Sequence, residues 1–377
     1  MIFTTSRAKS FKIEPYELCP CDSGAKFKFC CYAKAKQFEP KKLIDLSYSD
    51  RRINHITSKM WEETNFETCF GFKKDECVNP IKNAHSIQNN RILNRISKES
   101  HLYSIKPKAT REGVVPTLEL ISKNKASAFF GFCDFHDTDL FKPIELQEYN
   151  GEQIQNFLFA FRAMAIEYHK KLRKLSSIKK MFTIQPHTLL DEEYIYVYRV
   201  AQLDVRDFEL DYKTFKSEYC NNNFTNFRTI YRTLDFEVDF ATSSAFTVEK
   251  DLNGEQINDI YGIGSGKMPS IYINVYPTVN GTNILLSYHL NEDPVYKKYF
   301  DQLELLSEGQ LMKYLNYLII QYTENVFFNP SFIDNLTTKQ QASLLKSFHS
   351  SIQPLEAMDL ISENNYFKFN LFTNNAD

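Results

Sequence analysis

The chain has 377 residues, a formal net charge of −2 and a hydrophobic fraction of 43%. This length and composition predict two or three folded domains and exclude wholesale disorder. No apolar run is long enough to cross a membrane, and the first residues lack the apolar core of a signal peptide. We therefore expect neither a membrane protein nor an exported one.

Positive charge is concentrated at the start of the chain. Residues 1–60 carry 12 Lys and Arg against 6 Asp and Glu, residues 61–150 carry 12 against 13, and the remainder carries 21 against 28. A basic N-terminal arm can bind nucleic acid or an acidic partner, but it can equally be a solvated lysine-rich surface. Charge alone does not decide between these alternatives.

Seven of the eight cysteines lie in the first 133 residues. The first four form a Cys-x-Cys-x8-Cys-Cys cluster: Cys19, Cys21, Cys30 and Cys31. Four soft ligands in two close pairs are what a tetrahedral structural zinc site requires. Without an export signal, paired thiols indicate the reducing cytoplasm rather than disulfides. Buried thiols without metal are the disfavoured alternative, because this lysine-rich segment offers them no apolar surroundings.

The segment from Leu18 to Cys31 resembles the SEC-C motif, named for the C-terminal tail of the preprotein translocation ATPase. In that family a Cys-x-Cys pair, a Ser-Gly turn and two adjacent ligands close the site, and Ser23-Gly24 matches the turn. Ala25 departs from the pattern, where Lys is common. The resemblance implies a zinc knuckle over residues 1–36 and an adaptor role towards protein or nucleic-acid partners. Because so short a segment has no core, we expect zinc binding to supply its folding energy.

Residues 37–66 are predicted to be a linker that leads into a helix. Apolar side chains recur at helical spacing at Ile53, Ile56 and Met60, followed by Trp61. Trp61 is interpreted as a packing anchor rather than as a binding platform.

A second set of metal ligands follows the linker. Cys69 and Cys77 precede His85, and Cys133-x2-His136 completes the set. Three thiols and an imidazole suit a second structural zinc. Residues 126–132 are predicted to form a short buried strand that leads into the last pair.

Two pairs of metal-binding residues that bracket a histidine-bearing strand and a helix resemble the treble-clef arrangement of the HNH endonuclease superfamily. The resemblance covers residues 69–145, and we assign residues 67–150 to an HNH-like ββα module. It implies that His85 is the general base and that Asp137 stands where a ligand of the catalytic metal is usual. It also implies that the structural zinc is held by Cys69, Cys77, Cys133 and His136.

Phosphodiester hydrolysis explains these residue types. An imidazole, whose ordinary pKa is about 6.5, can deprotonate water near neutral pH. Magnesium or manganese beside the phosphate would absorb the developing negative charge. Carboxylate oxygens suit such a hard ion, whereas thiolates suit zinc.

The chain departs from the HNH pattern at two places. Ala84 stands where many members have a metal-binding Asp or Glu, and Leu140 or Phe141 stands where a further ligand is usual. Pro143 shortens the helix, so that Asp139 or Glu145 would have to substitute. The alternative is that His85 is a structural histidine or an extra zinc ligand.

Further polar residues near His85 leave two alternatives open. His101 is either the start of a strand, which we favour, or another ligand. A basic group follows the predicted base and either contacts a phosphate backbone or forms a solvated face: Arg91, Arg95, Lys106, Lys108 and Arg111.

Residues 151–377 are predicted to form an α+β domain whose antiparallel sheet has one face exposed to water. Helices are expected at 153–175, 307–324 and 338–349, the last with a capping box from Thr337 to Gln340. Strands are expected at 195–205, 233–240 and 271–276, with a hairpin at Asn280-Gly281.

Three features of this part are not assigned to function. The glycine-rich segment 262–268 lacks a phosphate-loop pattern, because Tyr261 and Met268 stand at two required positions. Ser243-Ser244 has no nucleophile elbow around it, and Cys220 has no partner cysteine nearby.

The sequence as a whole predicts a cytoplasmic, nucleic-acid-binding protein with two zinc sites, whose HNH-like module would cut DNA or RNA with magnesium or manganese. A role in bacterial anti-phage defence follows by analogy with other chains that fuse HNH modules to further domains. The alternative is a non-catalytic zinc adaptor that binds a protein or nucleic-acid partner through its SEC-C motif.

Overall fold

The protein is an α+β structure in which the neighbouring strands of the described residues are all antiparallel. The computed structural model describes residues 11–39, 48–78, 84–260, 262–264, 266–351 and 369–372. Parts of the predicted basic arm and linker, residues 1–10 and 40–47, lie outside the described residues.

The helices and strands have the following bounds. The helices are α1 (Cys31–Gln37), α2 (Asp50–Glu62), α3 (Asp134–Leu140), α4 (Lys142–Glu145), α5 (Gln153–Ile184), α6 (Glu192–Cys220), α7 (Asp293–Glu304), α8 (Glu308–Tyr322), α9 (Pro330–Asn335) and α10 (Thr338–Ser351). The strands are β1 (Ala84–His85), β2 (His101–Thr110), β3 (Gly113–Ser122), β4 (Ala128–Phe129), β5 (Phe227–Leu234), β6 (Phe240–Phe246), β7 (Ile271–Thr278), β8 (Gly281–His289) and β9 (Val326–Phe328). Within the described ranges, no helix has the length and apolar character of a membrane span.

Seven strands form one sheet in the order β3-β2-β9-β6-β7-β8-β5, and β1 pairs separately with β4. Strands β2 and β3 come from the segment predicted to be HNH-like, whereas the other five follow residue 150. The two groups join where β2 pairs with β9, with Tyr103 opposite Phe328. This pairing satisfies backbone groups that both strands would otherwise leave open. The sheet therefore contains strands from both sides of the boundary predicted at residue 150.

Both faces of the central sheet are covered, so the predicted water-exposed face is wrong. Ile271 and Ile273 of β7 pack in the same core as α7 and α8. Tyr272 and Tyr276, on the opposite face, pack in a second core with α5 and α6. A strand covered on both sides must be apolar on both sides, and β8 is buried along its whole length.

The strand predicted at 195–205 lies inside helix α6. The side chain of Asp191 caps this helix by accepting two backbone N–H bonds from its first turn. Ile195, Tyr198 and Ala201 are buried on one side, at a spacing that suits a helix. Burial of this face outweighs the strand preference of the β-branched and aromatic residues in the segment. The predicted strand 233–240 is also wrong, because β5 ends at Leu234 and β6 begins at Phe240.

Other predicted elements are confirmed. Helices α5, α8 and α10 cover the three predicted helical segments, α2 follows the linker, and β7 and β8 form the predicted hairpin. Thr337 and Gln340 form the reciprocal capping box of α10, with N···O distances of 2.9 and 3.2 Å. A Cβ at Gly281 would overlap the carbonyl oxygen of Leu234, which explains the glycine in this hairpin.

The glycine-rich segment serves the fold. The ammonium group of Lys267 lies 2.6 Å from Asp211 and 2.5 Å from Glu292. Asp211 also accepts a hydrogen bond from Ser270 at 2.6 Å. Lys267, the lysine of this glycine-rich segment, is thus held between two carboxylates.

Candidate metal centres

The four N-terminal cysteines converge as predicted. The sulfur of Cys21 lies 3.4 Å from that of Cys19 and 3.5 Å from that of Cys30, which is 3.8 Å from Cys31. All four sulfurs lie within 4.8 Å of one another. Sulfurs bound tetrahedrally to one zinc at its usual bond length are about 3.8 Å apart. The spacing therefore fits a single zinc ion.

A tight turn between the two cysteine pairs brings them together. Asp22 and Gly24 adopt left-handed backbone conformations, with φ of 60° and 74°. The backbone N–H of Cys19 donates to the carbonyl of Ala25 at 2.8 Å, and Ser23 Oγ lies 3.2 Å from Cys30 Sγ. Ala25 therefore contributes to the turn through its backbone carbonyl rather than through its side chain.

The thiols of this cluster perturb one another. Burial raises the pKa of Cys19, and burial together with the neighbouring cysteines raises that of Cys31. At Cys21 the opposing effect of burial is outweighed by hydrogen bonds from Ser23 and the adjacent thiols, which lower the pKa to about 6. Four sulfurs this close cannot all be thiolates without a cation between them. A bound zinc ion would supply that cation.

The knuckle is docked onto the body of the protein. Its apolar residues share a core with the end of α5 and the start of α6: Ile13, Cys19, Phe27, Cys31 and Ala35 with Phe182, Leu189, Ile195 and Tyr198. Glu17 accepts from Arg199 at 2.7 Å, and Asp22 accepts from Lys179 at 2.8 Å. The knuckle thus has a shared core in addition to its ligands, contrary to the expectation that zinc alone would fold it.

One face of the knuckle is aromatic and basic. The side chains of Tyr16, Leu18 and Phe29 are 60%, 72% and 71% exposed. The ammonium groups of Lys26 and Lys28 each lie 5.4 Å from the centre of the Tyr16 ring. Exposed apolar residues rimmed by charge are typical of a binding surface.

The second predicted ligand set also converges. Nδ1 of His136 lies 3.5 Å from the sulfur of Cys69, 3.7 Å from that of Cys77 and 3.1 Å from that of Cys133. All four ligand atoms lie within 4.8 Å of one another. A nitrogen and a sulfur bound tetrahedrally to one zinc are about 3.5 Å apart. These residues fit a second zinc ion.

Two chain segments position this second site. Cys133 is the N-cap residue of α3, and His136 lies in the first turn of that helix. The backbone N–H groups of Gly71 and Cys133 each donate to the sulfur of Cys69 at 3.3 Å, as suits a thiolate. Burial raises the pKa of Cys69 to about 12 and lowers the pKa of His136. Both shifts favour neutral groups, so a dication is needed to hold Cys69 ionised.

Gly71 packs directly against the ring of His136, and a Cβ at this position would overlap the ring. We expect Gly71→Ala to displace His136 and to reduce the zinc content from two ions per chain to one, although no ligand is changed. Elemental analysis of the purified protein measures this directly. Gly309→Ala is the matched control, because a Cβ there meets no atom within 4 Å. Two zinc ions in the Gly71→Ala protein would contradict the expectation.

His85 lies at the end of β1, outside both ligand sets. Its Nδ1 is 2.9 Å from the carbonyl oxygen of Ala126, which can only accept, so Nδ1 carries the proton. Nε2 is left with its lone pair, 3.3 Å from the amide nitrogen of Asn89. Burial lowers the pKa of His85, so the imidazole is neutral at pH 7.

A buried ion pair between Arg162 and Glu145 acts on both His85 and Asp137. Oδ1 of Asp137 is buried and has no hydrogen-bond partner among the described residues, and burial raises the pKa of the carboxyl group to about 6. Arg162, which is 5% exposed, lies 2.5 Å from Glu145 and stacks on Phe141. The charges of Arg162 and Glu145 act on both His85 and Asp137. The sequence interpretation missed Arg162, whose signal is a cation within the apolar run of α5.

The possible substitute ligands and the neighbouring basic residues can now be placed. Leu140 and Phe141 are buried, and Asp139 is exposed and pairs with Lys142 at 2.8 Å. The charge of the other candidate, Glu145, acts on His85. His101 begins β2, as favoured.

Three arginines of the basic group form ion pairs with carboxylates: Arg91 with Glu148, Arg95 with Glu237, and Arg111 with Asp50.

Within the described part of the chain, the two cysteine-rich sets are the places where three or more metal-binding side chains meet within 4.8 Å. His85, Asp137 and Glu145 do not form a third set of this kind. The fold and sites thus define an α+β protein with two candidate zinc centres. No protein-family model, curated protein or solved structure matches the chain.

Proposed function

We propose that the chain is a zinc-stabilised, HNH-like endonuclease that hydrolyses phosphodiester bonds of nucleic acid at His85. The observation that carries this proposal is the tautomer of the imidazole: the carbonyl of Ala126 holds Nδ1–H at 2.9 Å, and Nε2 carries the lone pair, which accepts a hydrogen bond from the Asn89 amide at 3.3 Å. A neutral histidine fixed in one tautomer is suited to act as a general base.

In this proposal His85 takes a proton from the attacking water at Nε2. The carbonyl of Ala126 would stabilise the resulting imidazolium, because it accepts the Nδ1–H bond. The amide of Asn89, 3.3 Å from Nε2, would orient the ring and the water. The second zinc site would hold the start of α3 against the segment before β1, because Cys133 and His136 lie at the start of that helix and Cys69 and Cys77 lie on that segment.

Asp137 is the residue proposed to hold the catalytic magnesium or manganese ion. Its buried Oδ1 has no partner within the described ranges, and such a carboxylate oxygen suits a hard cation. Magnesium keeps several waters and needs only one or two carboxylates, which agrees with the absence of a compact third ligand set among the described residues. When bound, the ion would neutralise negative charge that develops on the phosphate.

The test is a cleavage assay with a matched pair of variants on α3. We expect the purified protein to cut labelled DNA or RNA in magnesium or manganese, and to stop when the added ion is omitted while both zinc ions remain. Asp137→Asn should lose cleavage by about 100-fold or more, because it removes the anionic oxygen that would hold the ion. Asp139→Asn, which changes an exposed aspartate on the same helix, should retain it. No cleavage of any nucleic acid by the wild-type protein would overturn the proposal.

The second candidate function is a non-catalytic zinc adaptor for a protein or nucleic-acid partner. The exposed aromatic and basic face of the knuckle favours it, because Tyr16, Leu18 and Phe29 leave most of their apolar surface exposed within the described fold. Partner binding without cleavage would support this function. In either case we place the protein in the cytoplasm, where reducing conditions protect zinc thiolates. A role in anti-phage defence is part of the proposal by analogy alone.

A further inference from the structure

A cleft of about 190 Å³ is lined in part by Gln88 and Arg91, which closely follow His85 in the chain. One wall is the π-helical turn Asn89–Leu93, which follows β1 and carries the Asn89 amide that contacts His85. The opposite wall is formed by Tyr149, Phe159 and Tyr276. Single π-helical turns are frequent at functional sites, because they place side chains that a regular helix would not.

The aromatic wall of the cleft consists of three rings that pack against one another. Phe159 and Tyr276 stack with their centroids 5.5 Å apart, and Tyr149 packs edge-on against Phe159 at 6.1 Å. The hydroxyl group of Tyr149 donates to Asn156 at 2.6 Å, which fixes the orientation of its ring. Phe159 and Tyr276 are only 8% and 7% exposed, so the half-buried Tyr149 is the ring that can serve as a stacking platform for a nucleobase.

The rim of the cleft carries two arginines at a spacing of one helical turn. Arg91 pairs with Glu148, and Arg95 pairs with Glu237 at 3.3 Å. The glutamate side chains are 68% and 44% exposed, so these ion pairs contribute little stability and a phosphate can replace the carboxylates. The guanidinium fork matches a phosphate group as well as it matches a carboxylate.

The cleft is connected to the proposed catalytic residues through one backbone carbonyl. Gln88 and Arg91 both donate to the carbonyl oxygen of Glu145, at 2.6 and 3.3 Å. The side chain of Glu145 in turn pairs with Arg162, whose charge acts on His85. A nucleotide in the cleft would therefore contact Gln88 and Arg91, which closely follow His85 in the chain and are bonded to the carbonyl of Glu145.

We propose that this cleft binds one unpaired nucleotide of a single-stranded nucleic acid, with its base against the ring of Tyr149 and a phosphate at Arg91 and Arg95. The inference rests on the proposed function, because it names the substrate class of the same site. A base inside a duplex is stacked on both sides and cannot present its face to such a wall. The preferred substrate is thus single-stranded.

Binding of short fluorescein-labelled single-stranded DNA and RNA, followed by anisotropy without added divalent ions, tests this inference in the His85→Ala protein. Arg91→Gln and Arg95→Gln are each expected to weaken binding by about tenfold and to lower the slope of log affinity against log salt by about one. Tyr149→Leu keeps an apolar side chain but removes the ring, and should weaken binding by about tenfold or more. A duplex of the same sequence should be insensitive to Tyr149→Leu.

Lys213→Gln is the control, because Lys213 is 63% exposed on α6 and pairs only with Glu209 among the described side chains. It should leave single-strand affinity unchanged. Circular dichroism and zinc content show whether each variant is folded. Unchanged affinity in all three cleft variants, or no single-strand binding by the parent protein at low salt, would overturn the inference. Cleft-dependent binding without cleavage by the wild type would refute only the nuclease, and cleavage with cleft-independent binding would refute only the cleft.

Discussion

Replacing Cys133 with serine is expected to remove one zinc ion and to unfold the region around the second site. The side chain is fully buried, and its sulfur lies 3.1 Å from Nδ1 of His136. Serine binds zinc poorly and would leave a hydroxyl group in a buried site. Structural zinc contributes on the order of 10 kcal/mol to the folding of small zinc modules, which is comparable to the whole stability of a typical domain. We therefore expect a loss of several kcal/mol.

Elemental analysis and thermal unfolding measure the two parts of this result. Zinc content should fall from two ions per chain to one, and the unfolding midpoint should drop with it. Cys220→Ser provides the control, because Cys220 is exposed and belongs to neither ligand set. A Cys133→Ser protein that kept two zinc ions and an unchanged midpoint would rule out the second site.

His85→Ala is expected to abolish cleavage while both zinc ions stay bound. General-base catalysis contributes about 10²- to 10⁴-fold to a rate, and removal of the only imidazole proposed to act should cost that amount. Stability should change little, because the bonds of His85 to Ala126 and Asn89 are hydrogen bonds rather than metal bonds. Cleavage assays, elemental analysis and circular dichroism test these three expectations.

His101→Ala is the matched control for this variant. Its Nδ1 also lies against a backbone carbonyl, that of Glu99 at 2.8 Å, but its side chain is exposed at the start of β2.

Because burial lowers the pKa of His85, the wild-type rate should be constant around pH 7 and fall as the pH drops below that lowered pKa. Loss of zinc from His85→Ala would instead assign a structural role to this histidine.

The metal sites could be predicted from the sequence because cysteine identity and spacing are local signals. Cys19, Cys21, Cys30 and Cys31 meet within a single turn of the chain. The second set required one further step, the pairing of Cys69 and Cys77 with a distant Cys-x2-His, and three thiols with one imidazole left few other combinations. Whether His85 acts as a base stays a prediction.

Two predictions about the fold, the strand at 195–205 and the water-exposed sheet face, are wrong for the same physical reason. Burial depends on contacts between distant segments of the chain. The run at 195–205 has strand-like composition, but Ile195 and Tyr198 are buried on one side of a helix by the knuckle and the end of α5. The prediction of a water-exposed sheet face is wrong because α5 and α6 cover one side of the sheet and α7 and α8 cover the other. In both cases, contacts with distant segments decide which side of the element is buried.

The pairing of β2 with β9 has a consequence for how this gene can be divided or recombined. A fragment ending at residue 150 would keep the β2–β3 hairpin but lose the strand that shields its inner edge, which is a template for aggregation. The remaining fragment would be left with an equally open β9. Expression of either fragment alone should therefore give less soluble protein than expression of the full chain.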